Sequence, residues 1–336
     1  MPRFSVCMPV YNTGKYLDEA IKSILNQTFS DLELIIVDDC STDDSYKIAE
    51  SCAEKDDRVK LYKNDVNSGP LKSLLKAFAN SSGEIMMFLD SDDYLDPDTL
   101  ETVNKELKKT NTDLLVYGYR KFNNETKKIE RQTSNIYELY DESKKGELLY
   151  RLATENDFNG LSRKAIKGDI CRNTEVIEER KNIIRGNDKL LSAAIYKHVS
   201  SGVIIPDIKY NYRDNSTGLT RTGETSKYNI EYRDKEEMAE VIFDSNAVSK
   251  ELKDKYINYE FKQFISQLMK ISNLNISYAD KVNLFETIKK DDYYVNHLKT
   301  IIINKNNRIT NEFIRCKYQQ LIRYFRVRKK LSLIFK

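Results

Sequence analysis

Phe88-Leu89-Asp90-Ser91-Asp92-Asp93 is the stretch on which the reading of this chain turns. The apolar run from Ile85 to Leu89 predicts a short buried strand, and three carboxylates follow it at once. Carboxylates so close repel one another unless a cation or strong hydrogen-bond donors offset their charge. Hard oxygen ligands suit Mg2+ or Mn2+, and Mg2+ takes only one or two protein carboxylates, filling its other positions with water and phosphate oxygens. A solvated, Asp-rich turn is the competing reading. A calcium loop fits poorly: counted from Asp90, Asp92 and Glu101 fall at the right positions, but Tyr94 and Leu95 stand where an oxygen ligand and Gly belong. In Asp96-Pro97-Asp98-Thr99-Leu100, Asp96 reads as a helix cap with Pro in the first turn.

Outward from this segment, strands and helices alternate. Phe4 to Val10, Leu32 to Val37 and Val59 to Tyr62 predict strands; Leu17 to Gln27, Ser41 to Cys52 and Leu71 to Ala79 predict helices, the last stopped by Gly83. Such alternation implies a mostly parallel sheet with helices on both faces, and ligands of such sheets bind at the carboxyl ends of strands. The second strand also ends in acids, Asp38-Asp39, so the expected site lies between the two acidic strand ends. Farther on, Leu114 to Tyr119 and Val203 to Tyr212 read as strands, Leu148 to Ala153 and Lys189 to Tyr196 as helices. From about Ser226 the pattern is helical and rich in Lys and Glu, with Ile257, Phe261, Phe264, Ile265 and Leu268 on one stripe. No internal repeat is evident. A boundary near 225 separates residues 1–225, with a nucleotide-binding half (1–93) and an acceptor half (94–225), from a helical region, 226–336.

Bulk composition narrows the classes. The 336 residues are 40% hydrophobic, enough for a core, and the formal net charge of +3 is too balanced for a nucleic-acid binder. The five cysteines, Cys7, Cys40, Cys52, Cys171 and Cys316, are odd in number and widely spaced, which argues against a disulfide framework or thiolate zinc site and suits a reducing cytosol. No signal peptide or membrane-spanning run is expected, so the location is read as cytoplasmic. His198 and His297 fall in no ligand or triad spacing and read as structural.

Several segments, in order and at matching spacing, resemble the family 2 glycosyltransferases of the GT-A fold: Met8-Pro9-Val10-Tyr11-Asn12, Ser23-Ile24-Leu25-Asn26-Gln27-Thr28, Glu33 to Asp43, Asn67-Ser68-Gly69, Ser82-Gly83-Glu84 and Phe88 to Asp93. The match is close over about the first 100 residues, weakens through 155–221 and is absent after about 225. The resemblance implies an α/β, Rossmann-like GT-A sheet flanked by helices and followed here by a helical extension. It implies an inverting transfer of sugar from a UDP-sugar to a glycan acceptor such as a bacterial capsular or other cell-surface polymer, with Mn2+ or Mg2+ at a DxD motif. It places Pro9, Val10, Tyr11, Asn12, Asn67, Gly69 and Ser91 in the donor-binding set, Asp39 on the base, Asp90 near the ribose or diphosphate, and Asp92 on the metal. A carboxylate at a strand end can indeed accept a ring N–H. Packing at a turn is the alternative for Tyr11, and capping of the helix from Ser41 is the preferred reading of Asp38. Many relatives carry an Arg where this chain has Leu74; Lys72 is the candidate replacement on the phosphate side, and Lys76 reads as a solvated surface lysine.

An inverting displacement needs a base for the acceptor hydroxyl and a Lewis acid for the leaving diphosphate. In Arg185-Gly186-Asn187-Asp188-Lys189, Asn187 stands where the family often has Glu and Asp188 is retained, so Asp188 is the candidate base; a helix N-cap is the alternative and is compatible with it. Phe158 to Lys164 resembles a degenerate acceptor-side segment. Tyr210 to Thr220 resembles a loop that closes over the donor, with Arg213 reaching a phosphate and Ser216 and Thr217 adding donors; a plain surface loop is the other reading.

From Arg315 to Lys336 basic residues interleave with Tyr318, Leu321, Ile322 and Phe325, and no acid occurs. This basic amphipathic helix suits an anionic membrane surface and a lipid-linked acceptor, or else packs its stripe on the body. The added helices also suit homo-oligomer formation, by fold-level analogy. Two rival functions stand. A sugar nucleotidyltransferase would need a Gly-rich basic loop after the first strand, and Asn12-Thr13-Gly14-Lys15 is too short. A non-catalytic partner subunit is favoured by Leu74 and Asn187 and opposed by Asp39, Asp90, Asp92 and Asp188 together.

Overall fold

The computed structural model describes residues 1–133, 136–155, 158, 160–176, 187–214, 233–291, 293–305 and 307–334; side chains of 187–188, 233–236, 297 and 327–334 lie outside the description. Strands β1 (Phe4–Val10), β2 (Leu32–Asp38), β3 (Val59–Lys63) and β4 (Ile85–Phe88) stand where the apolar runs predict them. The order β3-β2-β1-β4 is parallel throughout, Val10 pairing with Asp38 and Cys7 with Phe88. Helix α1 (Gly14–Leu25) buries Leu17, Ala20, Ile21 and Ile24 in one core with Val6, Met8, Leu34 and Ile36. The intervening residues Cys7, Ile35 and Val37 are equally buried, and alternation along a strand puts them on the opposite face, where α3 (Pro70–Ala79) packs on β1 and β2. Helix α2 (Ser45–Ala53) starts four residues later than expected. The Asp43 carboxylate, bonded to the N–H groups of Ser45 and Gly14, holds the preceding residues in a turn instead.

Past β4 the sheet becomes mixed. Strand β9 (Lys164–Lys167) lies antiparallel between β4 and β6 (Leu114–Asn123), and β10 (Gly202–Asp214) runs parallel to β6. The two-residue β5 (Tyr94–Leu95) closes that edge against β10, while β7 (Ile129–Gln132) and β8 (Glu138–Tyr140) pair beside β6 and β10. The parallel character expected for the whole sheet therefore belongs to its first four strands. Helices α4 (Thr99–Thr110), α5 (Lys145–Thr154), α6 (Gly168–Arg172) and α7 (Asn187–Tyr196) complete this part.

Gly83 fixes where β4 meets β1. A Cβ at this position would stand 2.5 Å from the Ser5 N and 2.6 Å from the Ser5 Oγ, and that Oγ accepts the Gly83 N–H while donating to the buried Glu33 carboxylate. Gly83→Ala is expected to lower stability by about 2 kcal/mol through overpacking against backbone, seen as a lower midpoint in urea with unchanged slope. An unchanged midpoint would contradict this account of the close approach.

The chain divides into two compact units, Met1–Gly218 with Glu240–Val248, and Leu219–Ala239 with Ser249–Lys336. In the second, α9 (Lys250–Ser272), α10 (Tyr278–Lys290), α11 (Lys299–Lys305), α12 (Arg308–Ile314) and α13 (Tyr318–Ile334) surround an aromatic cluster of Phe264, Phe285, Phe313 and Tyr318. Tyr318, Leu321, Ile322 and Phe325 of α13 are buried within this unit, so the described half of the basic tail packs its apolar stripe on neighbouring helices, while Arg323 and Arg326 remain exposed. Among the described residues no helix is long and apolar enough to cross a membrane.

Candidate functional site

Parallel neighbours bring the carboxyl ends of β2, β1 and β4 to one edge, and the loops leaving them are tied together. Asn12, at φ 53, and Cys40, at φ 62, turn the chain sharply just past β1 and β2. The Asn12 Oδ1 accepts from the Thr42 N–H at 2.8 Å, and the Asn12 N–H donates to the Ser41 Oγ at 3.1 Å. The Thr13 hydroxyl donates to the Ser91 Oγ at 2.9 Å, which fastens the loop after β1 to the acidic segment after β4. Asn12 and Ser91, expected on the donor, thus also brace the three loops. Val10 is buried, Pro9 is half-buried and Tyr11 presents its ring to solvent at the same edge.

Asp39 is 3% exposed and holds a loop. Its Oδ1 accepts from the Asn64 Nδ2 and the Ser68 N–H, both at 2.8 Å, and its Oδ2 accepts from the Gly69 N–H at 2.7 Å. Gly69, at φ 84, adopts a conformation natural to glycine and starts α3. A carboxylate offers about four lone-pair sites, so three protein donors leave room for one ring N–H. Asn67 is exposed and Lys72 half-buried on the same loop and helix. Lys76 departs from the surface reading: its ammonium donates to the Lys63 carbonyl at 2.6 Å and the Asn64 Oδ1 at 3.1 Å, drawn in by the unpaired acceptors at the end of β3. Asp38 does not cap α2, which begins at Ser45; its Oδ2 accepts from the Ser41 N–H at 3.2 Å, and its buried Oδ1 has no hydrogen-bond partner among the described residues.

The three carboxylates after β4 divide into different environments. Asp93 is 1% exposed, accepts from the Tyr210 hydroxyl at 2.8 Å and from the Arg213 N–H at 2.7 Å, and therefore belongs to the scaffold. Burial, reinforced by the charges of Asp92 and Asp90, pushes its carboxyl well above the usual carboxylate range, which favours a neutral acid there. Asp90 and Asp92 are half-buried. The Asp90 Oδ2 accepts from the Ser162 Oγ at 2.9 Å and lies 3.2 Å from the Tyr210 hydroxyl, which also accepts the Asp90 N–H at 3.3 Å.

Arg213 corrects an expectation. Placed on a phosphate by the resemblance, it is 3% exposed and committed inside the protein: its Nε donates to the Asp92 carbonyl at 2.7 Å, its terminal nitrogens reach Asn124 and Glu19, and its plane lies over Tyr16 at 4.7 Å. A guanidinium so enclosed ties β10 to the acidic segment through the Asp92 backbone and pairs with Glu19 rather than with a ligand. Asp96 is likewise no side-chain cap; it pairs with Arg120 and accepts from the Asn211 Nδ2 at 2.8 Å. Asp188 falls in the first turn of α7, with its side chain outside the described residues, as are Ser216 and Thr217 of the expected lid. Ser162 and Tyr210 lie in segments that the resemblance singled out, Phe158 to Lys164 and Tyr210 to Thr220, but were given no role of their own, and Asn64 was missed. Its one signal is a polar residue directly after a strand, like Asp38 and Asp39.

Among the described residues no three His, Cys, Asp or Glu side chains gather into a closed metal cage. With Asp93 engaged by Tyr210 and Arg213, the acidic segment offers Asp92 and Asp90. One or two carboxylates with open positions fit a hard cation that shares phosphate oxygens and water, and do not fit a structural ion.

Residues 5–168 match the family described as glycosyl transferase family 2. An uncharacterized glycosyltransferase of Haemophilus influenzae is 44% identical over 101 residues, spanning 30% of this chain and 40% of that protein. The glycosyltransferase GlyG of Streptococcus pneumoniae is 28% identical over 223 residues, 65% of this chain and 73% of its own. In fold, the chain resembles residues 1–349 of Staphylococcus aureus TarS in complex with UDP-GlcNAc, at TM-score 0.75 and 19% identity over 98% of this chain and 92% of that one. Residues 5–168 thus match the family 2 glycosyltransferases, in a chain whose sheet and flanking helices form a GT-A fold.

Proposed function

We propose that this chain is an inverting glycosyltransferase that moves a sugar from a UDP-sugar onto a cell-surface glycan. The observation that carries the reading is the pair of acidic strand ends at one sheet edge, Asp39 just past β2 and Asp90-Asp92 after β4, with the end of β1 and its turn at Tyr11-Asn12 between them. A uracil seated against Pro9, Val10 and Tyr11 would give its ring N–H to the remaining acceptor site of Asp39, with Asn67 and Gly69 on the enclosing loop and Lys72 toward the phosphates. Asp90 would orient the ribose or diphosphate. Asp92 would hold Mn2+ or Mg2+, which supplies Lewis-acid support to the departing diphosphate. Asp188 would take the acceptor hydroxyl proton, at the head of a helix where backbone N–H groups steady a carboxylate. UDP-GlcNAc is the first donor to try, since the TarS fold neighbour was solved with it. An acceptor carried on lipid would bring the exposed Arg323 and Arg326 toward anionic headgroups, and the apolar side chains exposed on the helical unit, among them Tyr278 and Ile303, suit self-association.

Calorimetric titration of UDP with and without Mn2+ tests the reading. Mn2+ is expected to tighten UDP binding by about tenfold or more, because the cation and the diphosphate neutralise each other at a carboxylate that neither satisfies alone. Absence of UDP binding under both conditions would sink the UDP-donor assignment.

A further inference from the structure

The mechanism above gives no role to Lys164, the first residue of β9, whose side chain is 0% exposed. A buried ammonium is strongly disfavoured unless its donors are met. Two backbone groups serve it here: the Nζ donates to the Phe158 carbonyl at 2.8 Å and to the Gly160 carbonyl. The Tyr196 hydroxyl of α7 donates to the same Phe158 carbonyl at 3.0 Å, and the Arg163 carbonyl accepts the Tyr117 N–H of β6 at 3.1 Å. Between these anchors the backbone turns through Arg163 at φ 73, a conformation uncommon for a residue with a side chain. The turn aims Ser162 at the Asp90 Oδ2, 2.9 Å away. Because Ala165 pairs with Met87, this loop runs beside the end of β4, where the acidic segment begins.

We propose that Lys164 is a positioning residue of the donor site: by holding the Phe158 and Gly160 carbonyls it presents the Ser162 hydroxyl that orients the Asp90 carboxylate toward the donor. The proposal rests on the glycosyltransferase reading for the donor and on the contacts of Lys164 and Ser162 for the linkage. It predicts an effect on donor KM. A variant that merely folds less well has fewer active molecules, which lowers apparent kcat and leaves KM alone.

The test compares wild type, Ser162→Ala, Ser162→Thr, Lys164→Met and the Ser162→Ala/Lys164→Met double variant. It follows Mn2+-dependent turnover of UDP-GlcNAc and amide hydrogen exchange over residues 88–93. Ser162→Ala and Lys164→Met are each expected to raise donor KM about tenfold, the loss of one hydrogen bond to a charged group, with kcat within about threefold. Ser162→Thr should restore KM, and the double variant should be no worse than the worse single, since both act through one contact. Both single variants should speed exchange over 88–93. A fall in kcat at constant KM for Lys164→Met, or a double-variant KM that is the product of the two single effects, overturns the proposal. Should wild type fail to turn over UDP-GlcNAc, the choice of donor is at fault and not the linkage, and exchange then decides: unchanged exchange over 88–93 in Lys164→Met overturns the linkage, faster exchange in both singles upholds it. Should Lys164→Met not fold, a wild-type donor KM in Ser162→Ala overturns it alone.

Discussion

Asp92→Ala is expected to reduce sugar transfer by about a thousandfold, equivalent to roughly 4 kcal/mol of transition-state stabilisation, and to remove the effect of Mn2+ on UDP binding. Two observations make so large a loss specific. Arg213 reaches the Asp92 backbone carbonyl at 2.7 Å, so the clamp on the acidic segment survives loss of the side chain. Asp92 also raises the Asp93 carboxyl, so its removal relieves repulsion in the buried cluster. The melting temperature should therefore stay within about 2 °C of wild type or rise slightly. Turnover of UDP-GlcNAc and calorimetry with Mn2+ measure both parts; near-wild-type transfer in the variant would remove Asp92 from the metal and leave the acidic segment with a structural role alone.

Asp39→Ala should produce the largest loss of stability among the site residues. Its carboxylate is buried and satisfies the Asn64 amide and the N–H groups of Ser68 and Gly69. Leaving such donors unmatched costs about 1–3 kcal/mol each where water cannot reach them. The 64–69 loop can relax toward solvent, which reduces the total to about 3–4 kcal/mol, or roughly 10 °C in melting temperature for a unit of this size. UDP affinity should fall with it, since the wall beside the base is lost. Thermal unfolding with and without UDP separates the two effects: the variant should melt early and show no shift on adding UDP. A melting temperature within about 2 °C of wild type would mean that Asp39 does not hold the loop.

What could be read in the sequence was whatever repeats locally. Strands β1, β2 and β4 are short, mostly apolar stretches, and the acids at the ends of β2 and β4 stand out against them. Strand β9 was invisible because Lys164-Ala165-Ile166-Lys167 opens and closes on lysine, and a periodicity argument assigns lysine to solvent. The ammonium of Lys164 reaches the Phe158 and Gly160 carbonyls of a neighbouring loop, contacts that no side-chain pattern records. Arg213 misled for the opposite reason. A basic residue after a strand at a phosphate site suggests phosphate, and only the fold shows that Asp92, Asn124, Glu19 and Tyr16 enclose it first. Tyr210 lies 120 positions from Asp90, and no local pattern records that its hydroxyl reaches that carboxylate.

That separation has a consequence for the order in which the chain matures. During synthesis, β1 to β4 and their helices leave the ribosome long before β10, and their parallel core is complete in its local contacts. The acidic segment is not, because Tyr210 and Arg213, which offset its charge, belong to β10. Closing a loop of that length carries an entropy penalty repaid only when the distant strand docks. A nascent chain halted at residue 168, where the family match ends, would carry a formed sheet edge with an electrostatically uncompensated tip. The binding edge is thus assembled last, as β10 docks, and a fragment cut to the family boundary is a poor choice for expression.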